Sequence, residues 1–285
     1  MKYLIKILTA AMIIAAISCS GSHMEEPGGY VIPEFYHSPE EINTFLDEMH
    51  DEYLLITRIV TIGQSVSGRD IKALIISGDP DNPGTKPRVR LTGGILGSEI
   101  ISAEIMVYFI RYLLENYGAD ADIKNLVDTR YIAIIPGLNP DGLAVAGRRN
   151  DNGVDLNRNF SYAWTDGYGY GTGPFSEPES QALRDFSLQE NFHISLTFHS
   201  GAVLVNIPFD YASESGDGIV PDENNLVREF GYAYSRAGIS PSRFMDNPDI
   251  YQSDYMDDGI IDGGDWYVIT GSLQDWSYLE TGCLD

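Results

Sequence analysis

The chain has 285 residues, 43% of them hydrophobic and 21% charged, an ordinary globular balance that excludes wholesale disorder and collagen-like repeats. Eighteen basic residues against 42 acidic give a formal net charge of −24, so no electrostatic footprint for nucleic acid exists and anionic lipid repels the chain. With Cys19 and Cys283 as its two cysteines it builds neither a disulfide scaffold nor a four-thiolate zinc site.

At the start of the chain Lys2 and Lys6 precede an apolar run from Ile7 to Ile17, interrupted only by Thr9, too short to span a bilayer but of the length of a secretory signal core. Ser18-Cys19-Ser20 follows directly, and a small residue before a cysteine at that point resembles the bacterial lipoprotein signal. Residues 1–18 are expected to be a lipoprotein-type signal peptide and residues 19–36, which hold Pro and Gly but no periodicity, a tether. The implied location is the bacterial cell envelope, lipid-anchored or secreted, with membrane contact only through the anchor.

Ser38-Pro39-Glu40-Glu41 supplies an N-cap, a proline at N1 and a glutamate at N3, which predicts a helix start, and Ile42, Phe45, Leu46 and Met49 form its apolar stripe. Strand-like runs follow at 54–62, 70–77 and 87–92. The turn-rich Asp79-Pro80-Asp81-Asn82-Pro83-Gly84 joins the last two, so they are expected to open the sheet as an antiparallel pair. Ala103, Met106, Val107, Ile110, Leu113, Leu114 and Tyr117 mark a long amphipathic helix, with a short helix near 120–127 after it. Tyr131 to Ile135 is an apolar strand of the kind buried on both faces. A Gly/Asn-rich stretch then runs from Pro136 to about Phe175. Ser176-Glu177-Pro178-Glu179 suggests a second capping box, opening a helix to about Gln189; strands at Phe192–His199 and Val203–Phe209 and a helix at Asn225–Ala237 follow. The alternation predicts one α/β domain over 37–285, three layers α/β/α around a mixed, mostly parallel twisted sheet.

Open α/β sheets place their sites in loops at strand ends, and three such loops have unusual polar content. Thr92-Gly93-Gly94-Ile95-Leu96-Gly97-Ser98-Glu99 leads a strand through glycines into a helix. Asn139-Pro140-Asp141-Gly142 leads to Arg148 and then to Asp155-Leu156-Asn157-Arg158-Asn159-Phe160. Phe198-His199-Ser200-Gly201 closes a third strand. Taken singly these are a glycine turn, a polar surface loop and a strand-end histidine. Together, Arg148, Asn157 and Arg158 could grip a carboxylate, while Glu99 and His199 could supply two thirds of a catalytic zinc set.

Order and wording resemble the zinc carboxypeptidases, and most of all their carboxypeptidase N/E branch. The resemblance covers nearly all of residues 38–285 and includes Gly63-Gln64-Ser65-Val66-Ser67-Gly68-Arg69, Asp155 through Phe160, Ser176 through Glu179, and Tyr267 through Gly271 to Gln274-Asp275-Trp276-Ser277-Tyr278. It implies a peptidase that releases C-terminal residues by attack of metal-activated water, with zinc as cofactor and peptides or proteins with a free C-terminus as partners, acting as a monomer. By that resemblance Glu99 and His199 are zinc ligands, and Asn157 and Arg158 bind the terminal carboxylate. Arg148 polarises the scissile carbonyl and Tyr267 closes over the bound terminal residue. Asp210 and Gln274 stand where the family sets its side-chain pocket, which implies preference for C-terminal Arg or Lys; the bland alternative for Asp210 is a solvated loop acid.

Two departures accompany the match. The family's metal motif begins with a histidine three residues before the glutamate, and this chain has Leu96 there. Asp155, whose counterpart accepts a hydrogen bond from that histidine, is expected to face an apolar neighbour, a costly place for an unpaired carboxylate. The family's general-base glutamate would fall four residues beyond Asp285, so the domain is expected to lack its last strand and helix and the chain to be weak or inactive. Two readings compete with a peptidase: a catalytically silent peptide-binding envelope lipoprotein that keeps the carboxylate clamp, and a hydrolase of cell-wall peptides on the same scaffold.

Overall fold

The computed structural model describes residues 36–211, 221–238 and 259–284. The predicted signal peptide and the tether up to residue 35, Cys19 included, lie outside the described residues.

Helix α1 (Pro39–Glu52) starts as its sequence requires: the Ser38 hydroxyl accepts from the backbone of Glu41, and the Glu41 carboxylate accepts from the Ser38 amide. Strands β1 (Thr57–Gln64) and β2 (Asp70–Ile76) form an antiparallel hairpin with one irregularity between Thr61 and Gly63. Strand β3 (Arg88–Thr92), helices α2 (Ile100–Asn116) and α3 (Ala121–Thr129), and strand β4 (Tyr131–Ile135) follow. A short helix α4 (Pro140–Ala144) and a single 3₁₀ turn at Leu156–Arg158 punctuate the Gly/Asn-rich stretch. Helix α5 (Pro178–Glu190), strand β5 (Ile194–Thr197), strand β6 (Val205–Ile207), helix α6 (Pro221–Gly238), strand β7 (Ile260–Asp262) and helices α7 (Gly263–Trp266) and α8 (Leu273–Thr281) complete the described chain.

The main sheet has the order β1-β2-β4-β3-β5. This corrects the expected antiparallel pairing of 70–77 with 87–92: β4 stands between those strands, antiparallel to β2 and parallel to β3. All five residues of β4 are buried, which suits a central strand covered on both faces. The antiparallel start of the sheet is instead β1 with β2. Strand β5 adds to the other edge of β3 in parallel, and β6 and β7 form a separate parallel pair, so among the described residues three of the five strand pairings are parallel and the architecture is mixed.

Strand alternation sends side chains to two cores. Leu74, Ile76, Val89, Leu91, Ile132 and Ile134 pack against α1, α2 and α3. Ile71, Ala73, Ile75, Tyr131, Ala133 and Ile135 pack on the opposite face with Leu183 and Phe186 of α5 and Leu273 and Trp276 of α8. The three expected layers follow.

The second predicted capping box does not form. Pro178 occupies the first helical position of α5, so Glu177 is the N-cap and Ser176 donates to its neighbour's carboxylate at 2.7 Å. The two glutamates hold the long loop instead. Glu177 and Glu179 both accept from Asn150, at 2.8 and 3.0 Å, Glu177 also takes Asn152 at 2.8 Å, and Glu179 accepts the Val66 amide at 3.1 Å. Asn159, fully buried, donates to the carbonyls of Tyr170 and Gly173 and to the Ser176 hydroxyl, and accepts from the Glu177 amide and the Ser180 hydroxyl. Removing that side chain leaves several buried partners unmet. Asn159→Ala should therefore destabilise the fold by about 2–4 kcal/mol, read as a lowered urea midpoint, with α5 and the 160–175 segment losing amide protection first.

Candidate functional site

Strands β3 and β5 run parallel with Thr92 opposite Thr197, so both chains leave the sheet at one edge. Glu99 and His199 follow those ends and meet: His199 Nδ1 lies 2.8 Å from Glu99 Oε2, which also accepts the Ser200 amide at 3.1 Å. Glu99 is the N-cap residue of α2, yet its side chain makes no cap bond because it is turned to His199. The convergence expected of these two residues is met. Leu96, in the turn between β3 and Glu99, is 2% exposed and packs in the core that holds Ile95, Leu138 and Leu156.

The second loop is drawn onto the first by backbone contacts. Gly97 donates to the Arg148 carbonyl at 3.3 Å, and a Cβ at Gly97 would lie 2.1 Å from the Gly142 carbonyl carbon, so only glycine allows the two loops this close. Its base is pinned by buried Asp141, which accepts from the Ser65 hydroxyl at 2.8 Å, the Ser67 amide at 3.0 Å and Arg69 at 2.7 Å. The early Gly63–Arg69 signature thus holds the loop that bears the arginines.

Asp155 overturns its expectation. The carboxylate does not face an apolar neighbour: its Oδ2 accepts from Arg148 Nε at 2.8 Å and its Oδ1 from the Asn157 amide at 2.9 Å. Burial works against the charge on Arg148, but Asp155, with help from Glu99 and Tyr267, more than offsets it and raises the guanidinium above its ordinary value. The Asn157 side-chain oxygen accepts the Leu273 amide at 3.0 Å, and the buried Arg158 guanidinium donates to the Asn157 carbonyl at 2.7 Å. Tyr267 is half exposed and stacks edge-on against Trp266, ring centroids 4.7 Å apart.

Asp210 is not a solvated loop acid. It is 3% exposed, accepts from Asn206 at 2.8 Å, and lies within electrostatic reach of Arg158 and His199. Its backbone amide and that of Tyr211 donate to the two carboxylate oxygens of buried Asp275, at 2.9 and 3.0 Å. Sequence reasoning quoted Asp275 only as part of a motif; an acid in the first turn of a helix is a common enough pattern to hide this role. Gln274, beside it, has a side-chain nitrogen that is buried without a hydrogen-bond partner.

Two zinc ligands bonded at about 2.0–2.2 Å in tetrahedral geometry stand roughly 3.3 Å apart, so Glu99 and His199 fit two ligand positions. The third donor is missing. Leucine offers no lone pair, His37 pairs with Glu104, His50 with Thr57, and His193 with the Arg88 amide, and among the described residues no group of three His, Cys, Asp or Glu side chains could hold a metal ion. The residues present do not fit a three-ligand catalytic zinc.

Burial first of all pushes the Asp210 carboxyl above the ordinary carboxylate value, against hydrogen bonds from Asn206 and Ser272 that lower it. A raised acid binds its proton more tightly in the folded state, so its contribution to stability is full below the ordinary value and is lost as pH rises through the raised one. Asp210→Asn, which cannot ionise, should match the wild-type urea midpoint at acid pH and exceed it near neutrality; an identical pH dependence in both proteins would contradict this. Leu96→His adds the missing donor and should raise zinc affinity by about two to three powers of ten, on the order of 3–4 kcal/mol, measured by competition with a chromophoric chelator.

Residues 42–285 match the family model described as zinc carboxypeptidase. Carboxypeptidase D of Drosophila melanogaster is 31% identical over 289 residues, which cover 90% of this chain and 20% of the fly protein. Carboxypeptidase M of Mus musculus is 29% identical over 271 residues, covering 88% of this chain and 58% of the mouse protein. The chain thus spans about a fifth of the fly relative's length and under two thirds of the mouse relative's. Among solved structures, carboxypeptidase A from Helicoverpa armigera superposes with a TM-score of 0.71 at 22% identity, covering 99% of this chain and 69% of that one, a likeness of fold.

Proposed function

The chain belongs to the zinc carboxypeptidase family, and from that premise we propose that its site grips peptides by a free C-terminus, prefers a terminal Lys or Arg, and hydrolyses them weakly while Leu96 stands in the metal motif. The observation that carries the reading is the placement of Asp210, a buried carboxylate within reach of Arg158.

The residues divide the work by chemistry. Arg158 and the Asn157 amide nitrogen, whose oxygen is held by Leu273, are donors for the terminal carboxylate. Arg148 supplies a planar cation for the last peptide carbonyl, and Tyr267 is exposed enough to close over the terminal residue. A basic side chain entering beside Asp210 gains a charge-assisted hydrogen bond, whereas an apolar one adds no cation to the buried carboxylate that Asn206 already partners. The Gln274 amide adds a second polar group to the same pocket. Zinc, when bound in this family, would activate water and polarise the carbonyl; Glu99 and His199 are two of the donors it needs, and the third is missing among the described residues.

Leu96 is the observation that favours a peptide-binding protein over an efficient peptidase. The strongly acidic chain and the envelope location expected from residues 1–20 suit capture of basic peptides outside the cytoplasm.

Calorimetric titration with matched peptides ending in Arg and in Leu tests the specificity. The wild-type protein should bind the Arg peptide about 10–100-fold more tightly, and Asp210→Ala should erase most of that ratio. An unchanged ratio in the variant would leave the preference without its cause.

A further inference from the structure

We propose that Asp155 is a positioning residue of the peptide clamp: through one carboxylate it aims the Arg148 guanidinium, the cation for the last peptide carbonyl, and fixes the Asn157 backbone, in place of the metal-histidine partnership its position implies in this family. The inference rests on the reading of Arg148 and Asn157 as ligand-binding groups and goes beyond it, since neither their identity nor the family's pattern says what aims them.

Asp155 sits seven residues after Arg148 and two before Asn157, between the two halves of the clamp. Its oxygens are divided between them, Oδ2 to Arg148 Nε at 2.8 Å and Oδ1 to the Asn157 amide at 2.9 Å. The bond to Nε holds the guanidinium by its inner edge and leaves the outer pair of nitrogens for a ligand, which is the geometry a planar fork needs. Asp155 is itself anchored, because its backbone amide donates to the Gly169 carbonyl at 2.8 Å and its side chain is 10% exposed against 44% for Arg148. A long arginine with nearly half its surface in solvent would otherwise sample many rotamers, and ordering it in advance removes an entropic cost of binding. With Leu96 in the core, the carboxylate is committed to the arginine.

The test compares a peptide with an intact last amide carbonyl and the same peptide with that carbonyl reduced to a methylene, both with a free C-terminal carboxylate, titrated into wild type, Asp155→Asn, Asp155→Glu, Arg148→Ala and the Asp155→Asn/Arg148→Ala double variant. Asp155→Asn should weaken binding of the carbonyl-bearing peptide at least tenfold and leave the reduced peptide within twofold, Asp155→Glu should recover part of the loss, and Asp155→Asn should add less than twofold once Arg148 is gone. Equal losses for the two peptides, or full additivity with Arg148→Ala, would overturn the proposal. If the wild-type protein itself fails to distinguish the two peptides, the reading of Arg148 as the carbonyl's partner fails, and the positioning claim is decided by nitrogen-15 NMR without ligand. There the Arg148 Nε–H, assigned by its loss in Arg148→Ala, should exchange with water at least tenfold more slowly than that of exposed Arg111. Equal exchange rates in the wild-type protein would overturn it even if no Asp155 variant folds.

Discussion

The site depends on making an irregular loop rigid. Between β4 and α5 some forty residues form little more than one short helix and one 3₁₀ turn, yet they carry Arg148, Asn157 and Arg158. Backbone without a ladder must find its hydrogen bonds elsewhere, and here buried side chains supply them. Asn159 meets five partners, Asp141 takes three donors from the Gly63–Arg69 turn, and Glu177 and Glu179 share Asn150. Three of the motifs that carry the family resemblance are thus the parts that hold this loop in place or are held by it.

On that support the electrostatics of the site are arranged by the sheet. Parallel pairing of β3 with β5 brings Glu99 and His199 together, and the glycines at 97 and 142 let the arginine loop close over them. Carboxylates then sort the cations: Asp155 holds Arg148 near the surface, while Asp210 waits deeper with Arg158 and Asn206 around it. Leu96 sits within this frame without disturbing it. Leu96 fills core volume where a metal ligand would stand, and the fold closes over it as over any leucine.

Much of this was legible in residue order. Strand ends marked Glu99 and His199, and the family resemblance brought them together; the parallel pairing of β3 with β5 is the physical reason, since parallel strands that leave one sheet edge deliver their loops to one place. The helix start at Ser38 was legible because a capping box is local. The adjacency of β4 to both β2 and β3 was not, since strand order is decided by the crossover through α2 and α3 and not by the turn between β2 and β3. Nor could sequence assign the partners of Asp155, Glu177 and Glu179: a carboxylate's partner depends on which of several cations or amides the tertiary fold brings within 3 Å. The depth of Asp210 was undetermined for the same reason, as burial near a site and exposure on a loop leave the same trace in sequence.

Under the proposed function, a peptide clamp sits beside a metal donor set that is short by one among the described residues. Zinc stoichiometry of the purified wild-type protein, by elemental analysis after dialysis against micromolar free zinc and paired with a turnover assay on a C-terminal Arg peptide, decides whether that pairing holds. Well below one zinc per chain and little hydrolysis are expected. Near-stoichiometric zinc with appreciable turnover would contradict the pairing, and would require a third ligand that the described residues do not contain.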